Sequence, residues 1–189
     1  MTHHPPPRAA TELAAGLAHI ALSPRSGGEL RMIVRRPGVD TRELLDTGEL
    51  SPDEGLVGDS WRARVLRKSP DGVADPETQL TLMNARVAHL LAQDESRWAL
   101  AGDQLFVDLD LSDDNLPAGT RLKVGAATIE ITAEPHTGCK KFVARFGMDA
   151  MLFVNSPEGR RMNLRGIYAR VVEPGVIRVG DRLDKLAPG

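Results

Sequence analysis

Apolar and polar residues alternate most cleanly in the second half of the chain. From Ala127 to Glu134, Ile129 and Ile131 fall on one side and Thr128, Glu130 and Thr132 on the other, the period of a half-buried strand. Leu105 to Leu109 and Arg121 to Val124 read as strands too. Short apolar runs at Gly16 to Ile20, Leu30 to Val34 and Trp61 to Leu66, bounded by Ser, Pro and Gly, predict further strands. Ile167 to Val172 and Val176 to Val179, joined by Glu173-Pro174-Gly175, predict a hairpin. Two segments carry helical spacing instead. One begins at Asp75-Pro76, a cap followed by proline at the first helical position, and places Leu80, Met83, Val87, Leu90 and Leu91 on one face. The other runs from Lys141 to Phe153 through Phe142, Phe146 and Ala150, with Gly147 as a weak point.

The stretches between these elements read as connections. Met1 to about Thr11 is proline-rich and extended, Pro24 to Gly28 is a turn, and Ser69 to Pro76 is a surface loop. The polar segment up to Pro52 reads as a helical turn and loop anchored by Leu44 and Leu45. Gly-Asp recurs at Gly58-Asp59, Gly102-Asp103 and Gly180-Asp181, each time beside a predicted strand, and reads as a turn device. Many short strands between Gly and Pro turns, with two convincing helices, predict a mainly β fold, a barrel with a few peripheral helices. With 189 residues the chain is long enough for one sizeable core. The expected division is a flexible tail over 1–15, one domain over 16–186 and a C-terminal tail over 187–189.

Charge narrows the partners. A formal net charge of -2 and a pI near 6.2 provide no overall basic field, which argues against nucleic acid or an acidic membrane surface. The amino end lacks the positive start and apolar core of a signal peptide, and no run approaches the length of a membrane span; both point to a cytoplasmic protein. One cysteine rules out an intramolecular disulfide framework and a paired-cysteine zinc site. No phosphate-binding glycine loop, dinucleotide fingerprint or nucleophile elbow occurs. The acidic stretch Asp108, Asp110, Asp113 and Asp114 lacks the spacing of a calcium loop and reads as solvated.

The candidate chemistry lies at Cys139, in the loop Pro135-His136-Thr137-Gly138-Cys139-Lys140-Lys141. A thiol acts as nucleophile, sulfur carrier or soft-metal ligand in its thiolate form, and two lysines with a nearby imidazole are the neighbours that would lower its pKa from about 8.5. The plain alternative is a small buried filler residue. Arg160, Arg161 and Arg165, bracketed by Gly159 and Gly166, supply guanidinium groups and loop amides of the kind a phosphate requires, or else form a solvated basic loop. His89 lies beside an apolar stripe and reads as a boundary histidine; His3 and His4 sit on the proline-rich tail.

An ordered set of segments supports a resemblance. Gly55-Leu56-Val57-Gly58-Asp59, Gly102-Asp103-Gln104-Leu105, Leu122-Lys123-Val124-Gly125, Gly138-Cys139-Lys140-Lys141-Phe142, Arg145-Phe146-Gly147 and Arg165-Gly166-Ile167-Tyr168-Ala169 occur in the order seen in the MOSC domain. The chain resembles the free-standing bacterial type of this family, the molybdenum cofactor sulfurase C-terminal domain, from about Gly16 to Leu186. The resemblance implies a β barrel related to the pyruvate kinase barrel domain and binding of molybdenum cofactor, a molybdopterin. It implies that Cys139 is the reactive residue, carrying sulfur as a persulfide or ligating molybdenum. Arg165, Asp103, Gln104, Lys140, Lys141 and Arg145 are the implied cofactor-binding residues. As an enzyme the protein would be a molybdenum-dependent oxidoreductase acting on small N-hydroxylated compounds, or a sulfur-transfer protein. A separate pyridoxal-phosphate-dependent cysteine desulfurase or electron-donor protein would be its partner. The alternative is a non-catalytic binding module for a small anion or a protein. The chain departs from the family pattern at Ser60, where histidine is frequent, at Asp103-Gln104 in place of Glu-Asn, and at Gly138 in place of proline.

Overall fold

The alternating runs close into a ring. The computed structural model describes residues 5–66, 72 and 75–187. Strands β1 (Gly28–Arg35), β5 (Leu80–Asn84), β6 (Leu105–Asp108), β7 (Arg121–Val124), β8 (Ala127–Ile131), β9 (Ile167–Glu173) and β11 (Arg182–Lys185) pair in the order β11-β7-β8-β9-β5-β6-β1. Pairing of β1 with β11 closes the barrel, and β5 with β6 is its parallel pair. The short β2 (Glu43–Leu45) extends β1 outside the ring. A second sheet joins β3 (Thr47–Ser51), β4 (Gly55–Leu56) and β10 (Gly175–Arg178).

Two apolar clusters divide the strand faces. Leu30, Ile33, Leu82, Leu105, Val107, Leu122, Ile129, Ala169 and Leu183 fill the barrel, joined by Leu50, Leu56 and Ile177 from the second sheet. The opposite faces, Met32, Val34, Met83 and Phe106, pack against the helices. Strand alternation produces this division, since neighbouring residues point to opposite sides. A register shift between Leu30 and Met32 adds one residue, which puts Leu30 and Ile33 on the same side despite their odd spacing.

The helices are α1 (Ala10–Ala15), α2 (Leu17–Ala21), α3 (Trp61–Leu66), α4 (Ala85–Ala92), α5 (Lys140–Phe146), α6 (Met148–Asn155) and α7 (Pro157–Arg161). Several differ from the sequence expectation. Gly16 to Ile20, expected as a strand, is mostly α2, and part of the expected flexible tail is α1. Alanine-rich sequence favours helix there, and Leu13, Leu17 and Ile20 at helical spacing meet the outer cluster. Trp61 to Leu66 is helical because Asp59 accepts the Trp61 amide at 2.9 Å and the Arg64 amide bonds back to Ser60. The segment from Asp75 splits into a 3-10 turn at Pro76–Thr78, then β5 and α4. Every residue of β5 is buried, so its apolar spacing fits helix and strand alike. Asn84 ends the strand and caps α4, its Oδ1 accepting from the Arg86 and Val87 amides.

Further differences concern pairing. The expected hairpin of β9 and β10 does not form: β10 pairs with β3, while β9 lies between β8 and β5. The stretch expected as a helical turn holds β2 and β3, and Leu44 is 60 % exposed rather than an anchor. The expected single helix to Phe153 breaks into α5 and α6 at Gly147, whose φ of +89° suits glycine; Pro7 lies 2.9 Å from where its Cβ would stand. The loop from Ser69 falls largely outside the described residues, as do His3, His4 and the end of the C-terminal tail.

Truncation should follow this burial. Leu82→Ala, inside the barrel, is expected to lower unfolding free energy by about 2–5 kcal/mol in urea denaturation, and Leu44→Ala by no more than about 0.5 kcal/mol.

Candidate functional site

Four successive backbone carbonyls each receive a different arginine. The 3-10 helix Glu95–Ala101 ends beside β6; the Gly102 amide closes back on Ala99 O, and the carbonyls that follow are left to side-chain donors. Arg42 donates to Ala99 O at 3.2 Å, Arg145 to Leu100 O at 2.7 Å, Arg165 to Ala101 O at 3.1 Å and Arg36 to Gly102 O at 2.6 Å. The carbonyl ends of a helix favour cations, which is why guanidinium groups can gather here.

Two buried carboxylates hold the inner members. Arg36 grips Asp59 through Nε at 2.9 Å and Nη2 at 3.1 Å, and Asp59 is fully buried. Arg165 binds Asp103 at 2.8 Å, also fully buried, and lies 5.0 Å above the Phe142 ring. Asp40, at the surface, bridges Lys141 at 2.9 Å and Arg145 at 3.0 Å; this contact with Lys141 lowers its pKa. Arg64 stands 3.7 Å from Asp59. The local surplus is positive: burial lowers the pKa of Arg42, helped by Arg145 and Arg36.

His136 lies against this centre. Its side chain is 7 % exposed, its ring centroid lies 4.4 Å from that of Tyr168 with the planes tilted by 40°, and its Nδ1 is 3.6 Å from Asp103 Oδ1. Neither atom has a hydrogen-bond partner, and Arg165 Nε is likewise buried without one. Burial, reinforced by the positive charge of Arg165 and only partly offset by Asp103, pushes the His136 pKa down to about 3. The imidazole is therefore neutral and contributes no positive charge to the cysteine loop, contrary to the sequence expectation. Burial also raises the pKa of Tyr168, with Asp103 next. Gly166, at φ +103°, lets the chain pass: a Cβ there would stand 2.3 Å from Leu82 O and 3.3 Å from His136 Nδ1.

Cys139 is exposed, which removes the filler reading, and it is the residue before α5, its carbonyl accepting from the Phe142 and Val143 amides. Lys140 is exposed on the first turn. The structure thus brings Arg165, Asp103, Arg145 and Lys141 together around one carbonyl run and one carboxylate. Gln104 is placed differently. Its Oε1 accepts from the Thr81 amide at 2.8 Å and the Thr81 hydroxyl at 2.9 Å, and its Nε2 donates to Gln79 O. Those bonds commit its amide to the wall between β5 and β6. Ser60 donates its amide to Arg36 O, and Gly138 packs where a Cβ would meet Met151 Sδ at 2.4 Å.

Sequence reasoning missed Arg36, Arg42, Arg64, Asp59 and Tyr168, and used His136 only as a charge. A signal for the acids was present: of the three Gly-Asp pairs, Gly58-Asp59 and Gly102-Asp103 carry buried ion pairs, while Asp181 accepts a turn amide from Arg178. Beyond Arg165 and His136, toward Asn163 and Ile131, opens a cleft of about 500 Å³. Among the described residues, no group of three or more His, Cys, Asp or Glu could hold a metal ion, and no helix is long and apolar enough to cross a membrane.

The sequence profile of the MOSC domain matches residues 76–184. A comparison with curated protein sequences finds no match. Among solved structures, the YuaD protein from Bacillus subtilis shares 13 % identity over 86 % of this chain and 97 % of its own, with a TM-score of 0.61. YiiM from Escherichia coli shares 18 % over 85 % and 71 %, with a TM-score of 0.55. YiiM from Geobacillus stearothermophilus shares 16 % over 87 % and 74 %, with a TM-score of 0.51. These likenesses show the fold.

The depressed His136 pKa fixes a pH dependence. Between about pH 6.5 and 4.5 the unfolded chain binds a proton at this histidine that the folded chain refuses, so stability falls as pH falls, by about 1.4 kcal/mol per unit at full effect. Urea unfolding across that window should show the slope, and His136→Gln should remove most of it.

Proposed function

This chain belongs to the MOSC domain family, and on that premise we propose that it binds molybdenum cofactor beside the arginine cluster, with the Cys139 thiol as sulfur carrier or molybdenum ligand. The observation that carries the reading is the convergence of Arg36, Arg42, Arg145 and Arg165 on carbonyls 99–102, close to the helix that begins after an exposed cysteine. An anionic cofactor needs such a surplus of guanidinium charge, and molybdenum needs a soft sulfur ligand. The residues fit the group: buried polar atoms on Asp103, His136 and Arg165 stand without partners, the mark of a site arranged for something besides itself.

In this reading Arg145, Lys141 and Lys140 meet anionic oxygens at the surface. Arg165 pairs with Asp103 at the inner wall, and His136, from the loop before Cys139, packs beside that pair. When bound, the cofactor would supply a metal able to exchange two electrons with a small-molecule substrate. Cys139 holds or passes sulfur at Sγ, and its exposure leaves it open to a desulfurase that loads it or to an electron donor that docks nearby. Gln104 supports the wall on which Asp103 sits rather than touching the cofactor. A small-anion binding module without redox chemistry shares the arginine requirement and differs in being indifferent to the thiol.

Molybdenum and pterin content separate the two. Protein from a cofactor-competent host should carry both, and Cys139→Ser should lose most of the molybdenum while keeping its fold. Arg165→Lys should reduce loading several-fold because an ammonium cannot reproduce the two-sided contact to Asp103 and Ala101. An empty wild-type protein from a host that loads other molybdoenzymes would sink the reading.

A further inference from the structure

The connection between β1 and β2 is pinned at both ends and tied in the middle by one carboxylate. Arg36 anchors its start on Asp59 and Gly102 O, and Arg42 anchors its end on Ala99 O. Between them Pro37, Val39, Asp40 and Thr41 are exposed, Val39 by 78 %. A Cβ at Gly38 would come near Thr41 Oγ1 alone, at 3.5 Å, so the segment is not wedged against the body there. Its tie is Asp40, whose carboxylate accepts from Lys141 Nζ at 2.9 and 3.1 Å and from Arg145 Nη2 at 3.0 Å, and bonds to nothing else among the described residues. Arg145 keeps its other nitrogen, Nη1, on Leu100 O at 2.7 Å, which holds the guanidinium in place with or without Asp40. Arg42 meets carbonyls only, those of Ala99 and Thr41. Three cations therefore share one acid, and the surplus is positive.

We propose that residues 37–41 form a latch in which the Asp40 carboxylate stands in for a ligand oxyanion on Lys141 and Arg145, and that a multiply charged oxyanion such as a phosphate group displaces Asp40 and frees the segment. A carboxylate brings one negative charge, whereas a phosphate monoester carries about 1.5 to 2 and three acceptor oxygens, so it matches the surplus better. The pairs to be broken are exposed: Asp40 and Lys141 are each 57 % accessible, and exposed pairs contribute little. Asp40 holds φ +57°, a conformation that aspartate and asparagine both tolerate, so the turn itself does not depend on the charge. Lys141 lies in the turn that Cys139 opens. The latch rests on the cofactor reading for the identity of the arriving group, and deepens it by giving that site a competing group from its own chain.

Backbone amide spectra of the full chain, made in a host without pterin synthesis, test the latch with inorganic pyrophosphate as the probe at constant ionic strength. The amides of Val39, Asp40 and Thr41 should shift saturably together with that of Lys141. Asp40→Asn keeps the left-handed turn and removes the competing charge; it should bind about threefold tighter or more, and Lys141→Gln should bind more weakly. Glu43→Gln takes one charge from the adjoining strand, where Glu43 pairs with Arg35, and leaves Lys141 and Arg145 clasped, so it should gain less. The latch is overturned by any smaller gain in Asp40→Asn, by an equal gain in Glu43→Gln, by undiminished binding in Lys141→Gln, or by a Lys141 shift with residues 39–41 unmoved. Absence of saturable binding in both wild type and Asp40→Asn overturns it too. Molybdenum loading in a competent host separates the two readings: protein that stays empty yet shows the pyrophosphate response fails the cofactor reading alone, and protein that loads without that response fails the latch alone.

Discussion

The arginines on carbonyls 99–102 are the constraint around which this end of the barrel is arranged. The arginines come from three parts of the chain: Arg36 and Arg42 from the connection between β1 and β2, Arg145 from α5 and Arg165 from just before β9. One helix terminus therefore ties three segments to a single point. Like charges so close are tolerated because the carbonyl dipoles and the carboxylates of Asp59, Asp103 and Asp40 offset them. Buried pairs of this kind add little net stability relative to apolar packing, but removing one partner strands the other and costs about 3–5 kcal/mol. The arrangement is hence an all-or-none feature of the site.

The barrel supplies what the arginine cluster cannot. Asp103 and Gln104 are neighbours with opposite tasks: one carboxylate faces Arg165 and His136, and the next side chain locks β5 to β6 through Thr81. On the outside, Pro7 seats at Gly147 and the Ala10 amide bonds to Asp149, so the amino-terminal segment braces the joint between α5 and α6. Cys139 is thus fixed in position, a surface thiol at the start of a helix whose Phe142 and Phe146 are buried.

Much of the wall was legible because its signal is local. Arg121–Val124 matches its expected bounds, and β1, β6, β8 and β9 lie where short apolar runs between turn residues place them, β9 with burial at every second residue. One error falls where both faces are buried and a helix follows at once. Leu80, Met83 and Val87 satisfy a helical spacing, yet the first two belong to a strand packed on both sides and the third to the helix that follows. Propensity also lost to context at Trp61 to Leu66, whose β-like composition yields to the Asp59 cap. The hairpin at Glu173-Pro174-Gly175 failed for a different reason: partner choice, unlike strand formation, depends on a segment more than a hundred residues away.

The sequence by itself determined the barrel family, the position of Cys139 before a helix, and the types of charged residue available to a site, because ordered short motifs and side-chain period survive without coordinates. Tertiary structure alone decided which charges meet. Arg36 and Gly102 are 66 residues apart and Arg165 and Asp103 are 62 apart, and no local pattern distinguishes these arginines from solvated ones. It also decided that His136 is neutral and that Gln104 belongs to the wall, since protonation and hydrogen-bond satisfaction depend on burial, and burial is a property of the packed chain.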